Sequence, residues 1–206
     1  MWNRTDLCKQ DYLRNERRTY KIRYEEDRRN YRQVPANADY VLAIDPSGNF
    51  NEGKGCTGWV FYRPDSQHVW KFGEIDASTF KSMEEYWYAH LELINNLNDL
   101  CKEKGYRFHL VIEDFLLYKN KAVEQTNSRF ETPKLIGAIQ IFCYIYNIPI
   151  NFQTATSVKK RWEDNILVKK GILEKSGNFY LINGCKTNDH IRDALRHAVH
   201  YGTFKI

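Results

Sequence analysis

The chain predicts an α/β fold built on a mixed sheet, and three features carry that prediction. Two short apolar runs, Tyr40–Ile44 and Phe108–Ile112, each pass directly into a carboxylate, Asp45 and Glu113. Continuous runs of that length, bounded by turn signals, predict strands buried on both faces. The order of patterns is three strands, then a helix, a strand, a helix, a strand and two helices. The first three strands therefore suit an antiparallel meander, and the later ones enter through helical crossovers.

Taken in order, residues 6 to about 33 contain no Gly or Pro and mix both charge signs. Leu13, Tyr20, Tyr24 and Tyr31 are too sparse for a strong apolar face, so a helix or helix pair laced by i,i+4 charge pairs is expected, ending before Pro35. Residues 1–38 form this basic, tyrosine-containing arm, and 39–206 form the body. The arm holds ten Lys/Arg against six Asp/Glu, a surplus of four. After the first strand, Pro46, Ser47, Gly48, Asn49 and Asn51 make a turn or loop, continued by Gly53 and Gly55. A second strand then runs Cys56–Tyr62, and His68–Ile75 alternates as a third.

Ser78 or Thr79 is expected to cap a helix from about Phe80 to Lys104, ended by Gly105. Its apolar positions Met83, Tyr86, Trp87, Leu91, Ile94, Leu97 and Cys101 recur at helical spacing. Residues 116–133 form a long connection carrying Leu116, Leu117, Lys119, Lys121 and Arg129, and connections of that length inside compact domains are usually functional or mobile. A helix from about Lys134 to Tyr146 and a strand Pro149–Phe152 follow. Thr156 or Ser157 opens a helix bearing Lys159, Lys160 and Arg161, with Gly171 at or near its end. Asn178–Ile182 reads as an added strand, and a last helix opens at Asn188 or Asp189 and runs through Tyr201.

The net charge of +5 suits a polyanionic partner without proving one. No run approaches the roughly 18 apolar residues of a membrane span, and the first residues lack the apolar core of a secretion signal, so a cytoplasmic protein is expected. The five scattered cysteines show no zinc spacing and are expected to be reduced.

Three acidic positions stand out. Asp45 and Glu113 each end a buried strand, and the last helix offers Asp189, His190 and Asp193 near its start, three and four residues apart. Carboxylates brought together are unfavourable unless cations neutralise them. An oxygen-rich, thiolate-poor set suits Mg²⁺, with Mn²⁺ able to substitute. Two such ions, about 3.5–4 Å apart, support in-line phosphodiester hydrolysis. Taken one at a time, Asp45 and Asp189 also serve as turn and helix caps, and His190, His197 and His200 as surface residues.

On these residues the chain resembles the RuvC-type Holliday-junction resolvases of the ribonuclease H-like superfamily. The strand and hairpin AIDPSG…CTGWVFY is similar to the family's opening, and LVIEDFLLYKN to its second acidic strand. HIRDALRHAVHYG resembles its closing helix, and TATSVKKRW its basic helix start. The likeness spans about residues 40–202. The Gly-rich, Lys-containing turn that usually follows the basic helix is replaced by RWEDNILVKKGIL, which leaves Lys169 and Lys170 without a role. The longer connection and the arm look more like the phage-encoded branch.

The resemblance implies a ribonuclease H-like five-stranded sheet flanked by helices. It also implies a metal site of Asp45, Glu113 and Asp193, with His190 as ligand or water-orienting group and Asp189 in reserve. Lys159 or Lys160 would hold the phosphate, and Leu116 and Leu117 would wedge into branched DNA, with Phe115 helping or buried. Lys119, Asn120, Lys121 and Arg129 would follow the backbone of that DNA. Symmetric cutting of a junction implies a homodimer, whose surface could involve the helix at 80–104, which the sequence leaves open. Rival expectations are a related nuclease acting on flaps, hybrids or single strands, a non-catalytic DNA-binding module, and an ATP-handling protein of the actin and sugar-kinase type. The last lacks a second Gly-rich phosphate loop after residue 55.

Overall fold

Strand β1 (Tyr40–Asp45) is buried at every position, as its unbroken apolar run predicts. It is the middle of a five-stranded sheet of order β3-β2-β1-β4-β5. The computed structural model describes residues 38–115 and 130–204. The arm and nearly all of the long connection after β4, with Leu116, Leu117, Lys119, Asn120, Lys121 and Arg129, fall outside the described residues.

β1 pairs antiparallel with β2 (Cys56–Arg63), which pairs antiparallel with β3 (His68–Asp76). On its other edge β1 pairs parallel with β4 (Phe108–Asp114), and β4 parallel with β5 (Ile150–Thr154). The expected antiparallel meander followed by crossover strands is therefore the fold observed. The first crossover is helix α1 (Met83–Glu103) and the second α2 (Glu131–Ile145). Two short helices follow, α3 (Ala155–Arg161) and α4 (Asp164–Lys169), and the final helix is α5 (Asp189–Phe204).

Some expectations need correction. The cap of α1 is Ser82, whose side chain accepts from Glu85 N–H, because the Asp76 carboxylate has already drawn Ser78 into a separate 3₁₀ turn over Ala77–Thr79. The added strand expected at 178–182 is present, outside the main sheet. It is β7 (Phe179–Ile182) of a second, three-stranded sheet with β6 (Glu174–Ser176) and β8 (Cys185–Lys186). Cys56, Cys101 and Cys143 are free thiols as expected, but Cys185 is disulfide-bonded.

Alternation along the strands sorts side chains to two faces. Leu42, Ile44, Leu110 and Ile112 meet α1 and α2 through Ile94, Leu97, Leu135 and Ile139. Val41, Ala43, Val60 and Val111 meet α5 through Ile191, Ala194, Leu195 and Ala198. The same parity sends Asp45, Gly58 and Glu113 to the α5 face and Thr57 to the α1 face. Gly58 lies opposite Asp45 in the β1–β2 ladder, and a Cβ added there would lie 2.2 Å from the His190 carbonyl carbon. Only the missing side chain lets the start of α5 press this close to the sheet.

On the opposite face a buried polar network holds the loop after β1. Thr57 Oγ1 accepts from Ser47 N–H (3.0 Å), and Tyr86 O–H donates to the Ser47 carbonyl (2.6 Å). His90 bonds the Tyr86 carbonyl through Nδ1 (2.7 Å), which must therefore carry the proton. Its Nε2 then accepts from the Thr57 hydroxyl at 2.9 Å. Burial pushes the His90 imidazole down to about 4, and His109, also buried, likewise to about 4. Both stay neutral in the folded protein where the unfolded chain, near 6.5, takes up protons. Stability is therefore full above pH 6.5 and falls as pH drops from 6.5 toward 4, with a slope of up to about 1.4 kcal/mol per pH unit for each histidine. Denaturant unfolding at pH 7.5, 6 and 5 should show this decline, and His90→Gln should flatten it. An unchanged slope in that variant would exclude His90 as a source.

Candidate metal centre

The site lies at the ends of β1 and β4, where α5 crosses them. Asp45, Glu113 and Asp193 each present a carboxylate oxygen, and the three atoms lie within 4.8 Å of one another. Asp45 and Glu113 reach this point through strand parity. Asp193 reaches it because His190, Asp193 and His197, spaced three and four apart, form one stripe on the sheet-facing side of α5.

Each carboxylate has its own restraint. Asp45 Oδ2 is 2.8 Å from His190 Nδ1. Burial, with the fields of Glu113 and Asp193 added, raises the Asp45 carboxyl above its ordinary range against the pull of His190. The bond to Asp45 raises His190 in turn. Asp193 is gripped by Arg196 on Oδ1 and by Lys159 Nζ on Oδ2, the latter at 2.7 Å. Arg196 is itself fixed by Asp164 (2.5 Å) and the Trp162 carbonyl (3.0 Å). Lys159 also reaches Glu113 at 3.3 Å, so its ammonium stands between two of the three carboxylates. Burial works against the charge on Lys159, but its contact with Asp193 and the field of Glu113 prevail and raise it.

Burial also opposes ionisation of Glu113, yet His197 and Lys159 outweigh it and hold its carboxyl below the usual value. His197 is fully buried, with Nε2 2.9 Å from Glu113 Oε2 and Nδ1 2.9 Å from Gln153 Oε1. A neutral imidazole has one N–H, and an ionised Glu113 only accepts, so the proton belongs on Nε2. Nδ1 then faces an oxygen, while Gln153 Nε2 is buried without a partner among the described residues. Turning the Gln153 amide resolves both mismatches, with Gln153 N–H donating to Nδ1 and Nε2–H to Glu113. His197, which read alone could have been a surface residue, is buried and orients Glu113. Its position four residues after Asp193 is the signal that could have found it.

Asp189, expected as a reserve ligand, stands apart: its side chain is 87% exposed and paired with Arg192. Lys160 is exposed on α3, away from the contacts that Lys159 makes. Phe115 packs against the α1–α2 side of the core. Glu131 and Thr132, at the start of α2, hold the loop after β1. The Glu131 carboxylate accepts from Phe50 N–H (2.6 Å) and from Asn51, and Thr132 Oγ1 accepts from Gly48 N–H (2.8 Å). A Cβ on Gly48 would fall 2.2 Å from Thr132 N, so that contact requires glycine. Sequence reasoning passed over these two residues and Thr57.

Three carboxylates at this spacing, with an ammonium already drawn between two of them, fit a divalent cation. The all-oxygen donor set fits a hard one rather than zinc.

The sheet order, the flanking helices and the acidic cluster define the class of fold, a ribonuclease H-like α/β sheet of the RuvC type. Among solved structures it is similar to T. thermophilus RuvC in complex with a Holliday junction substrate. The TM-score is 0.57 and the identity 13%, over 81% of this chain and 94% of that one. A second structure, Thermus thermophilus RuvC, matches with a TM-score of 0.52 and 12% identity over the same shares. At these identities the likeness is one of fold. No protein-family model and no curated protein matches the chain. Among the described residues, no helix is long and apolar enough to cross a membrane.

Proposed function

We propose that this protein is a divalent-cation-dependent endonuclease that resolves branched DNA of the Holliday-junction type. The observation that carries the proposal is the convergence of Asp45, Glu113 and Asp193 on a RuvC-like sheet. Asp45, Glu113 and Asp193 hold the cations, with Mg²⁺ the physiological choice and Mn²⁺ a substitute. When bound, such cations activate water and stabilise the departing oxygen of a phosphodiester.

The chain's own groups do the rest. His190, tethered to Asp45, orients the attacking water. Lys159, which lies between Glu113 and Asp193, would hold a phosphate oxygen, where its charge is matched to the negative charge that develops. Arg196 and His197 keep Asp193 and Glu113 aimed. Lys160, with Leu116, Leu117, Lys119, Asn120, Lys121 and Arg129, contacts the DNA, so binding should weaken steeply with salt.

A homodimer suits paired cuts at a two-fold junction. Besides the helix α1 surface that could serve it, α2 offers Ile141 and Ile145, which are exposed one turn apart. A phage-encoded protein acting in a host cytoplasm remains part of this reading. An intact carboxylate set argues against a non-catalytic binding module.

The experiment is cleavage of labelled four-way junctions, flaps, RNA–DNA hybrids and linear duplexes, with Mg²⁺ or with chelator. Symmetric junction cuts that vanish with chelator support the proposal. Cutting of flaps or hybrids with junctions left intact would favour a related nuclease instead.

A further inference from the structure

We infer that the small β6–β7–β8 sheet is a binding site for an unstacked base of the DNA strand, with Phe179 as its stacking face. The inference rests on the proposed function and adds to it a contact surface outside the carboxylate cluster.

The sheet is built to present side chains rigidly. Both hairpins have two-residue turns, Gly177-Asn178 and Asn183-Gly184. Asn183 (φ 50°) and Gly184 (φ 77°) both occupy the left-handed region that such tight turns require. One end of the sheet is anchored: Ile182 and Leu173 are buried in the α5-side core, and Asn183 Nδ2 donates to the Val69 carbonyl of β3 at 2.9 Å. The other end carries Phe179, which is 52% exposed. Lys186 Nζ lies over one face of that ring, 3.7 Å from its centre, so a base would stack on the opposite face, and Lys175 and Arg192 lie over the Tyr180 ring at 5.9 and 5.0 Å. Aromatic rings each carrying a cation on one face fit a base and its phosphates better than they fit an apolar protein partner.

Its placement points the same way. A groove of about 510 Å³ runs beside Phe179 and Tyr180 past the amides of Asn178 and Asn188 to His190. His190 is also the residue bonded to Asp45 at 2.8 Å, so one side chain belongs to both groove and cluster. A base in intact duplex is stacked on both sides and cannot reach Phe179. A base freed at a branch point next to the cut phosphate can, and the Asn178 amide offers a donor and an acceptor for its edge, the Asn188 amide being held by Glu74, Cys56 and Ile191.

The test uses full-length Asp45→Asn protein, which keeps DNA uncut. It compares affinity for a four-way junction and for a linear duplex of equal length, with Phe179 intact or changed to Ala, Leu or Trp. Phe179→Ala and Phe179→Leu should each weaken junction binding by about 5- to 150-fold, since one stacked base contributes about 1–3 kcal/mol. Phe179→Trp should restore it, and duplex affinity should hold within about twofold for every variant. Junction binding by Phe179→Ala equal to that of the parent would overturn the assignment. So would Phe179→Leu binding as well as the parent, because apolar area without a π face would then suffice. If the parent binds no DNA at all, the proposed function itself fails, which is a separate outcome.

Discussion

Asp45→Asn should abolish junction cleavage, by on the order of 10³-fold or more, while leaving the protein at least as stable as the parent in metal-free buffer. The two halves have one cause. Burial and the neighbouring carboxylates already raise the Asp45 carboxyl, so its ionised form is held at a cost in the absence of a cation. A neutral amide of the same shape removes that repulsion and can still accept from His190. A divalent cation reverses the balance for the parent, whose melting temperature should climb with Mg²⁺ or Mn²⁺ as ligand binding adds to folding. The variant should show a smaller climb. Thermal scans with chelator and with millimolar Mn²⁺, beside the cleavage assay, read both effects. A variant that cleaves like the parent would remove Asp45 from the chemistry.

Gly58→Ala should also cost activity, though less of it, without touching a charged group. The added Cβ would meet the His190 carbonyl carbon at 2.2 Å and Ile191 N at 2.4 Å, both backbone atoms that no side-chain rotation can move. Either α5 lifts or β2 bends, and in both cases the 2.8 Å bond from His190 to Asp45 is lost and Asp193 retreats from Glu113. Overpacking of this kind typically destabilises by about 1–3 kcal/mol. Because catalysis depends on sub-ångström placement, a cleavage loss of about 100-fold is expected from a protein that still folds. Circular dichroism and cleavage rates measured together separate this from simple unfolding. Full activity with an intact fold would show that α5 need not approach the sheet so closely.

Parity explains why the acidic strands were legible in the sequence. An apolar run that passes straight into an acid announces both a central strand and a carboxylate at its end, as in β1 and β4. The stripe on α5 was half read: Asp193 and His190 were found, while His197, one turn further along the same face, was given no role. Asp189 satisfied the same spacing as a ligand but, as the first helical residue, it is drawn outward by Arg192.

The start of α1 was misplaced because Ser78, Thr79 and Ser82 are all competent caps, and the choice depends on Asp76 engaging Ser78 first. For residues 178–182 the strand was visible but its partners were not, since local pattern does not say which sheet a strand joins. The Asn183-Gly184 dipeptide, a tight-hairpin signal, would have paired it with β8. Tertiary hydrogen bonds such as Thr57 to His90 or Glu131 to the loop after β1 join residues 33 and 80 or so apart in the chain, and no short-range pattern encodes them.

The central claim is that Asp45, Glu113 and Asp193 together hold the cation that cuts DNA. Crystals grown or soaked with Mn²⁺ and analysed by anomalous scattering test it most directly. The account predicts manganese density enclosed by those three carboxylates. Manganese bound elsewhere, or absent from between the three under conditions where the protein cleaves DNA, would contradict it.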